Sequence, residues 1–81
     1  MNLNKVIAMN IRAYRKYYKL TQRELAERAG ITRCHLNDIE NLRKNISIQT
    51  LELIAKKLEV EPYKLLKKYG GIIHEQLNEC I

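Results

Sequence analysis

Six of the seven residues from Thr32 to Asp38 carry side chains able to touch the edge of a nucleic-acid base. Arg33 is the sharpest candidate, because its planar guanidinium can engage the O6 and N7 of guanine together, a contact that discriminates against the wrong base by ~1–3 kcal/mol. Asn37, about one helical turn further on, can pair with adenine or bond to a phosphate. Thr32 has three open roles, as helix cap, phosphate ligand or thymine-methyl contact. Cys34 and His35 offer packing or a single hydrogen bond. Asp38 can accept from cytosine N4, although a carboxylate near phosphates is unfavourable. Flanking these lie residues suited to phosphate: Gln22 and Arg23 on one side, and Asn41, Arg43, Lys44 and Asn45 on the other. A solvated surface residue is an equally good reading of Arg23 and Arg43, whereas phosphate contact is favoured for Gln22 and Lys44.

Nothing comparable speaks for catalysis. The chain has no Gly-rich phosphate loop, no paired carboxylates in a plausible cleft and no nucleophile–base set, so no catalytic residue and no enzyme activity are expected. Cys34, His35, His74 and Cys80 do not have metal-ligand spacing, and adjacent residues on one helix point about 100° apart. No metal or other cofactor is therefore expected, and both cysteines read as free thiols.

The elements that must position the base-facing residues are legible. Thr21 and Glu24 form an S/T-x-x-E capping box at a helix start. Leu25, Ala26 and Ala29 give that helix an apolar inner face, and Gly30 supplies a residue tolerant of positive φ just beyond it. Thr32 can cap a second helix whose Leu36, Ile39 and Glu40 point inward while Cys34, Asn37, Asp38 and Asn41 point outward. Two short helices joined by a tight turn, the second polar on its outer face, make a helix-turn-helix, which can lay its second helix in the major groove of DNA. The helix 2 start, with its dipole and free amides, favours an anion beside Gln22 and Arg23.

Around this unit the spacing predicts an all-α fold of five helices. Helix 1 runs from about Asn4 to Tyr18 and buries Ile7, Ile11 and Tyr14; helix 2 spans roughly Gln22–Arg28 and helix 3 roughly Arg33–Asn41. Ser47 caps helix 4, where Ile48, Leu51, Ile54, Ala55 and Leu58 form one stripe. Pro62 fits the first turn of helix 5, which carries Leu65 and Leu66 and ends before Gly70-Gly71. In the tail, Ile72, Ile73, Leu77 and Ile81 can line a short sixth helix, behind a Gly-Gly break. Residues 1–70 thus read as one DNA-binding domain and residues 71–81 as a C-terminal tail.

With 81 residues the chain is one small domain, and 46% apolar residues argue against disorder. The net charge of +6 is unevenly placed. Residues 1–46 hold ten Lys/Arg against four Asp/Glu, while residues 47–81 hold five of each. The excess lies on the half carrying the two-helix unit, an electrostatic footprint for an anionic polymer. No apolar run approaches a membrane span and no signal-peptide pattern is present, so the expected location is the cytoplasm.

Several fragments in fixed order carry a wider likeness: Ile11 and Arg15, Leu20-Thr21-Gln22, Glu24-Leu25-Ala26, Ala29-Gly30-Ile31, Ile39-Glu40, then Ser47, Leu51, Ile54, Ala55, Leu58 and Val60. From about Ile7 to Leu66 the chain resembles the Xre/Cro-like helix-turn-helix regulators of bacteria and their phages. It departs from them at Lys19 and Leu42, where that family usually has glycine. The resemblance implies a compact, lambda-repressor-like DNA-binding domain and a structural ion pair between Arg15 and Glu40, which lie on inward faces. It also implies that Gln22 touches the DNA backbone. Homodimerisation through the far end is a further implication, with Tyr63, Leu66, Tyr69, Ile72 and Ile73 as interface residues on a two-fold operator. Arg33 early in the second helix and Lys44-Asn45-Ile46-Ser47 make the chain look most like the small controller proteins of restriction–modification systems, which regulate their own operon. A phage-type repressor and an antitoxin follow. The reading from another class is a protein-interaction module that binds a toxin or RNA polymerase, with DNA binding secondary.

Overall fold

A computed structural model describes residues 2–67, and all regular structure in them is helical. Helix α1 spans Leu3–Tyr17, α2 Gln22–Ala29, α3 Arg33–Glu40, α4 Ile48–Lys57 and α5 Pro62–Leu65. Each of the first four begins at a polar side chain that accepts an otherwise orphaned backbone N–H: Asn2, Thr21, Thr32 and Ser47. At α2 the capping box is complete, with the Thr21 N–H donating to Glu24 at 2.8 Å and the Glu24 N–H to Thr21 Oγ1 at 3.0 Å. Helix α5 starts instead at Pro62, with Glu61 before it making no side-chain cap.

The helix ends share one solution. After α1, α2, α3 and α4 a residue turns left-handed, and the two N–H groups beyond the cap return to the last carbonyls, the Schellman arrangement. The left-handed residues are Lys19 (φ 59°), Gly30 (φ 73°), Leu42 (φ 62°) and Glu59 (φ 58°). The outer bonds are Leu20 N–H to Arg15 O, Ile31 N–H to Ala26 O, Arg43 N–H to Asp38 O and Val60 N–H to Ala55 O, all 2.8–3.0 Å. Lys19 and Leu42 therefore adopt the conformation that glycine favours, and so does Glu59, which the sequence did not single out. A side chain there costs ~1–2 kcal/mol that only the surrounding packing offsets.

The apolar stripes meet in one core of Ile7, Ile11, Tyr14, Leu20, Leu25, Ala26, Ala29, Leu36, Ile39, Leu51, Ile54, Ala55, Leu58 and Leu65, whereas Ile48, expected in the α4 stripe, is 74% exposed at the first turn of that helix. Helix α2 packs on α3 and α4, α1 on α3 and α5, and α4 on α5. Leu25, Leu36, Ile54 and Leu65 are fully buried, each contributing up to ~1.5–3 kcal/mol. Element boundaries differ from the sequence reading by a residue or so at α1, α2 and α3. Helix α5 ends at Leu65, earlier than expected. The buried Asn10 amide donates to Leu65 O and Lys67 O, both at 2.8 Å, and its Oδ1 has no partner among the described residues. Among the described residues no helix is long and apolar enough to cross a membrane. The proposed sixth helix lies outside the described residues.

Candidate nucleic-acid interface

Helix α3 is fixed from behind and open in front. Leu36, Ile39 and Glu40 are buried, while Thr32, Arg33, Cys34 and Asn41 are exposed and His35, Asn37 and Asp38 are partly so. The Thr32 hydroxyl accepts the His35 N–H at 3.0 Å, so of its three open roles the cap is occupied. Arg33, Cys34, Asn37, Asp38 and Arg43 line one shallow cavity on the outward face. A second cleft, between the starts of α2 and α3, is lined by Arg15, Thr21, Gln22, Arg23 and Arg33.

Behind α3 sits a buried ion pair. Arg15 donates from Nε to Glu40 Oε2 at 2.9 Å and from its terminal nitrogen to Oε1 at 3.1 Å. Its other terminal nitrogen donates to Leu20 O at 2.9 Å. The Glu40 side chain is wholly inaccessible and that of Arg15 is 12% exposed. Arg12 reaches the same carboxylate at 3.6 Å from the solvent side. A carboxylate tolerates that depth because its oxygens receive charge-assisted donors in fork geometry. The pair ties α1 to α3 across 25 residues of sequence and sets the depth of the outward face.

The pair continues outward through amides. Gln22 donates to Glu40 Oε1 at 3.1 Å, and Asn37 donates to Gln22 Oε1 at 3.1 Å. Arg43 donates to Asn37 Oδ1 and, from Nε, to Asp38 Oδ1 at 2.9 Å. This route from Arg15 to Arg43 was absent from the sequence reading, which assigned Gln22, Asn37 and Arg43 independent roles. No local signal reveals it, because its partners lie 6–25 residues apart.

The remaining candidates are scattered around this centre. Asn41 turns its amide back to Asn37 O at 2.9 Å, while Lys44 and Asn45 are exposed on the loop behind α3. Arg23 is exposed at the α2 start, where the Thr21 backbone N–H holds the Glu24 carboxyl below its ordinary range, with the Thr21 side chain helping. At the opposite end Tyr63 and Leu66 are exposed. Leu66 joins Leu3, Ile7, Ile46, Ile48 and Leu51 around an apolar groove. Tyr69, Ile72 and Ile73, with His74 and Cys80, lie outside the described residues.

Comparison with known proteins places this geometry among regulators. The helix-turn-helix family model matches residues 11–65. The chain is 34% identical over 70 residues to control protein C.SmaI of Serratia marcescens, covering 86% of this chain and 83% of that protein. The crystal structure of the hypothetical transcription factor NHTF from Neisseria superposes with a TM-score of 0.81 at 32% identity, covering 95% of this chain and 84% of that one. A structure of SinR, described as the master regulator for biofilm formation, in complex with DNA superposes with a TM-score of 0.70 at 42% identity. It covers 75% of this chain and 98% of the SinR chain.

Proposed function

This chain belongs to the Xre-like helix-turn-helix family, and from that premise we propose that it reads a two-fold operator as a homodimer and regulates its own operon. It is a DNA-binding transcriptional regulator and not an enzyme, like the relatives to which it is similar. The single observation that carries the base-reading assignment is the two-sidedness of α3. Its inner face is anchored by Leu36, Ile39 and the Arg15–Glu40 pair, and its N-terminal Arg33 and Cys34 face outward with no packing role.

In this reading Arg33 reads guanine, with Thr32, Cys34 and His35 beside it. Arg23, Asn41, Lys44 and Asn45 hold the phosphates on either side, joined by the second N–H of the Gln22 amide, whose first N–H and oxygen are bonded to Glu40 and Asn37. One such helix covers little DNA, and a two-fold dimer doubles the contact by reading half-sites ~34 Å apart. Exposed Tyr63 and Leu66 support α5 as the dimer face; Tyr69, Ile72 and Ile73, outside the described residues, join the proposal from the sequence alone. The likeness to control protein C.SmaI supports a control function for this chain, which the proposal extends to its own operon and to the cytoplasm.

The test is binding to the DNA upstream of the gene for this chain against a scrambled duplex, at several salt concentrations, with Arg33→Ala alongside. A preference of ~10³-fold or more, relaxed by the substitution, supports the proposal. Weak and equal binding to both duplexes, indifferent to Arg33, would transfer the role of α3 to a protein partner such as a toxin or RNA polymerase.

A further inference from the structure

Arg43 is an exposed arginine held unusually firmly. Its backbone N–H is bonded to Asp38 O at 2.8 Å, as the last member of the turn that closes α3. Its side chain then returns to the same helix, from Nε to Asp38 Oδ1 at 2.9 Å and from a terminal nitrogen to Asn37 Oδ1. Asn37 is fixed in turn by Gln22 Oε1, and Gln22 by the buried Glu40 carboxylate. A side chain with 58% of its surface exposed ordinarily samples many rotamers. This one has one edge of its guanidinium bound to the recognition helix and ultimately to the core.

The terminal edge, between the two Nη atoms, is the relevant one. A guanidinium has five N–H donors and two are used here; of the three that remain, two form that edge. Arg43 and Arg33 line the same cavity on the outward face of α3. The Asp38 carboxylate at 2.9 Å offsets the charge of Arg43. Affinity for phosphate depends on charge and counterion release, and the pairing weakens it. Bidentate donation to a base depends on direction, and the pairing strengthens it. We propose that Arg43 is a second specificity-determining residue, presenting its free edge to guanine O6 and N7, and that Asp38 and Asn37 are positioning residues for it. Asp38 then contacts Arg43 instead of cytosine, and Asn37, with both ends of its amide engaged, supports a reader instead of reading adenine.

This inference rests on α3 facing the major groove, and the experiment separates the two. The full chain selects from a duplex library randomised in its central segment, alongside Arg33→Ala, Arg43→Ala, Arg43→Lys, Asp38→Ala and Asp38→Asn. Base preferences and the salt dependence of binding are read for each. Arg33→Ala and Arg43→Ala should each erase a guanine preference at a different position of the half-site, by about tenfold or more. Arg43→Lys should lose the same position, since an ammonium has no fork. Asp38→Ala should weaken the Arg43 position alone and leave the Arg33 position and the salt slope intact, and Asp38→Asn, which keeps the acceptor, should restore it. The retained Arg33 preference reports that the Arg43 and Asp38 variants are folded, and the retained Arg43 preference does so for Arg33→Ala. Equal weakening on every duplex with a salt slope lower by about one would make Arg43 a phosphate contact and overturn the proposal. Tighter binding to all sequences by Asp38→Ala would overturn it too, by making Asp38 a competitor for Arg43. No base preference in the unsubstituted chain would remove the DNA-facing assignment of α3 along with it.

Discussion

Removal of either partner of the Arg15–Glu40 pair should destabilise the fold unequally, and the geometry of the pair sets the order. Arg15→Ala leaves the inaccessible Glu40 carboxylate with the Gln22 amide at 3.1 Å and Arg12 at 3.6 Å as its remaining donors. Arg12 has a half-exposed side chain and substitutes poorly for a buried fork. Stranding a buried charge in this way costs ~3–5 kcal/mol; with two donors remaining, the lower end applies. Glu40→Ala strands Arg15 less, because its guanidinium keeps the Leu20 carbonyl at 2.9 Å and lies close enough to solvent to recruit water. A cost of about 2 kcal/mol follows from one lost charge-assisted network. The double substitution should then cost less than the two together, with a coupling of ~1–3 kcal/mol. A domain of this size holds only ~3–5 kcal/mol in all, so Arg15→Ala sits near the unfolding midpoint without denaturant. The assay is urea unfolding followed by far-ultraviolet circular dichroism, in sucrose so that all four proteins start folded. At a slope of ~1 kcal/mol per molar urea the Arg15→Ala midpoint should fall by ~3 M. Single substitutions that each cost under about 1 kcal/mol and add in the double would refute the burial argument, because that is how exposed pairs behave.

Three further outcomes are expected. Lys19→Gly, Leu42→Gly and Glu59→Gly each relieve a left-handed residue at a helix end; each should raise stability by ~0.5–1 kcal/mol after the entropy of glycine is set against the relief, additively across sites, and unchanged urea midpoints would show that local packing already removes the strain. Asn10→Ala should cost ~2 kcal/mol and speed amide exchange around Leu65 and Lys67, because two carbonyls lose a buried donor; exchange that speeds equally throughout the domain would contradict this local role. The Glu24 carboxyl titrates below its ordinary value, chiefly through the Thr21 backbone N–H and next through the Thr21 side chain. A group lowered on folding stabilises above its unfolded value and loses that contribution as pH falls through the folded one. Acidification through that window should therefore fray the start of α2 first, seen as loss of amide protection at Glu24 and Leu25, and Glu24→Gln should remove this pH dependence.

What could be read along the chain was what acts within a few residues. Caps at Thr21, Thr32 and Ser47, the Thr21–Glu24 box and the left-handed Gly30 depend on bonds spanning three to five positions. Apolar periodicity then separated the buried Leu36 and Ile39 from the outward Arg33 and Cys34. The inward position of Arg15 and Glu40 was also legible, but only as two faces that should meet. Tertiary packing decided everything with a partner beyond that range. Gln22 reads on its own as a phosphate ligand, yet packing of α2 against α3 brings its amide between Asn37 and Glu40. Asn10 gave no signal on α1, because its two carbonyl partners arrive 55 and 57 residues later. Lys19 and Leu42 read as departures from glycine, and they turn left-handed all the same, since the returning N–H groups and the core behind them outweigh ~1–2 kcal/mol of backbone strain at each site. Local bonds fix which segments are helices. The distances between those helices, which only the packed core sets, determine which polar groups on the outward side of α3 stand singly and which stand as a connected set.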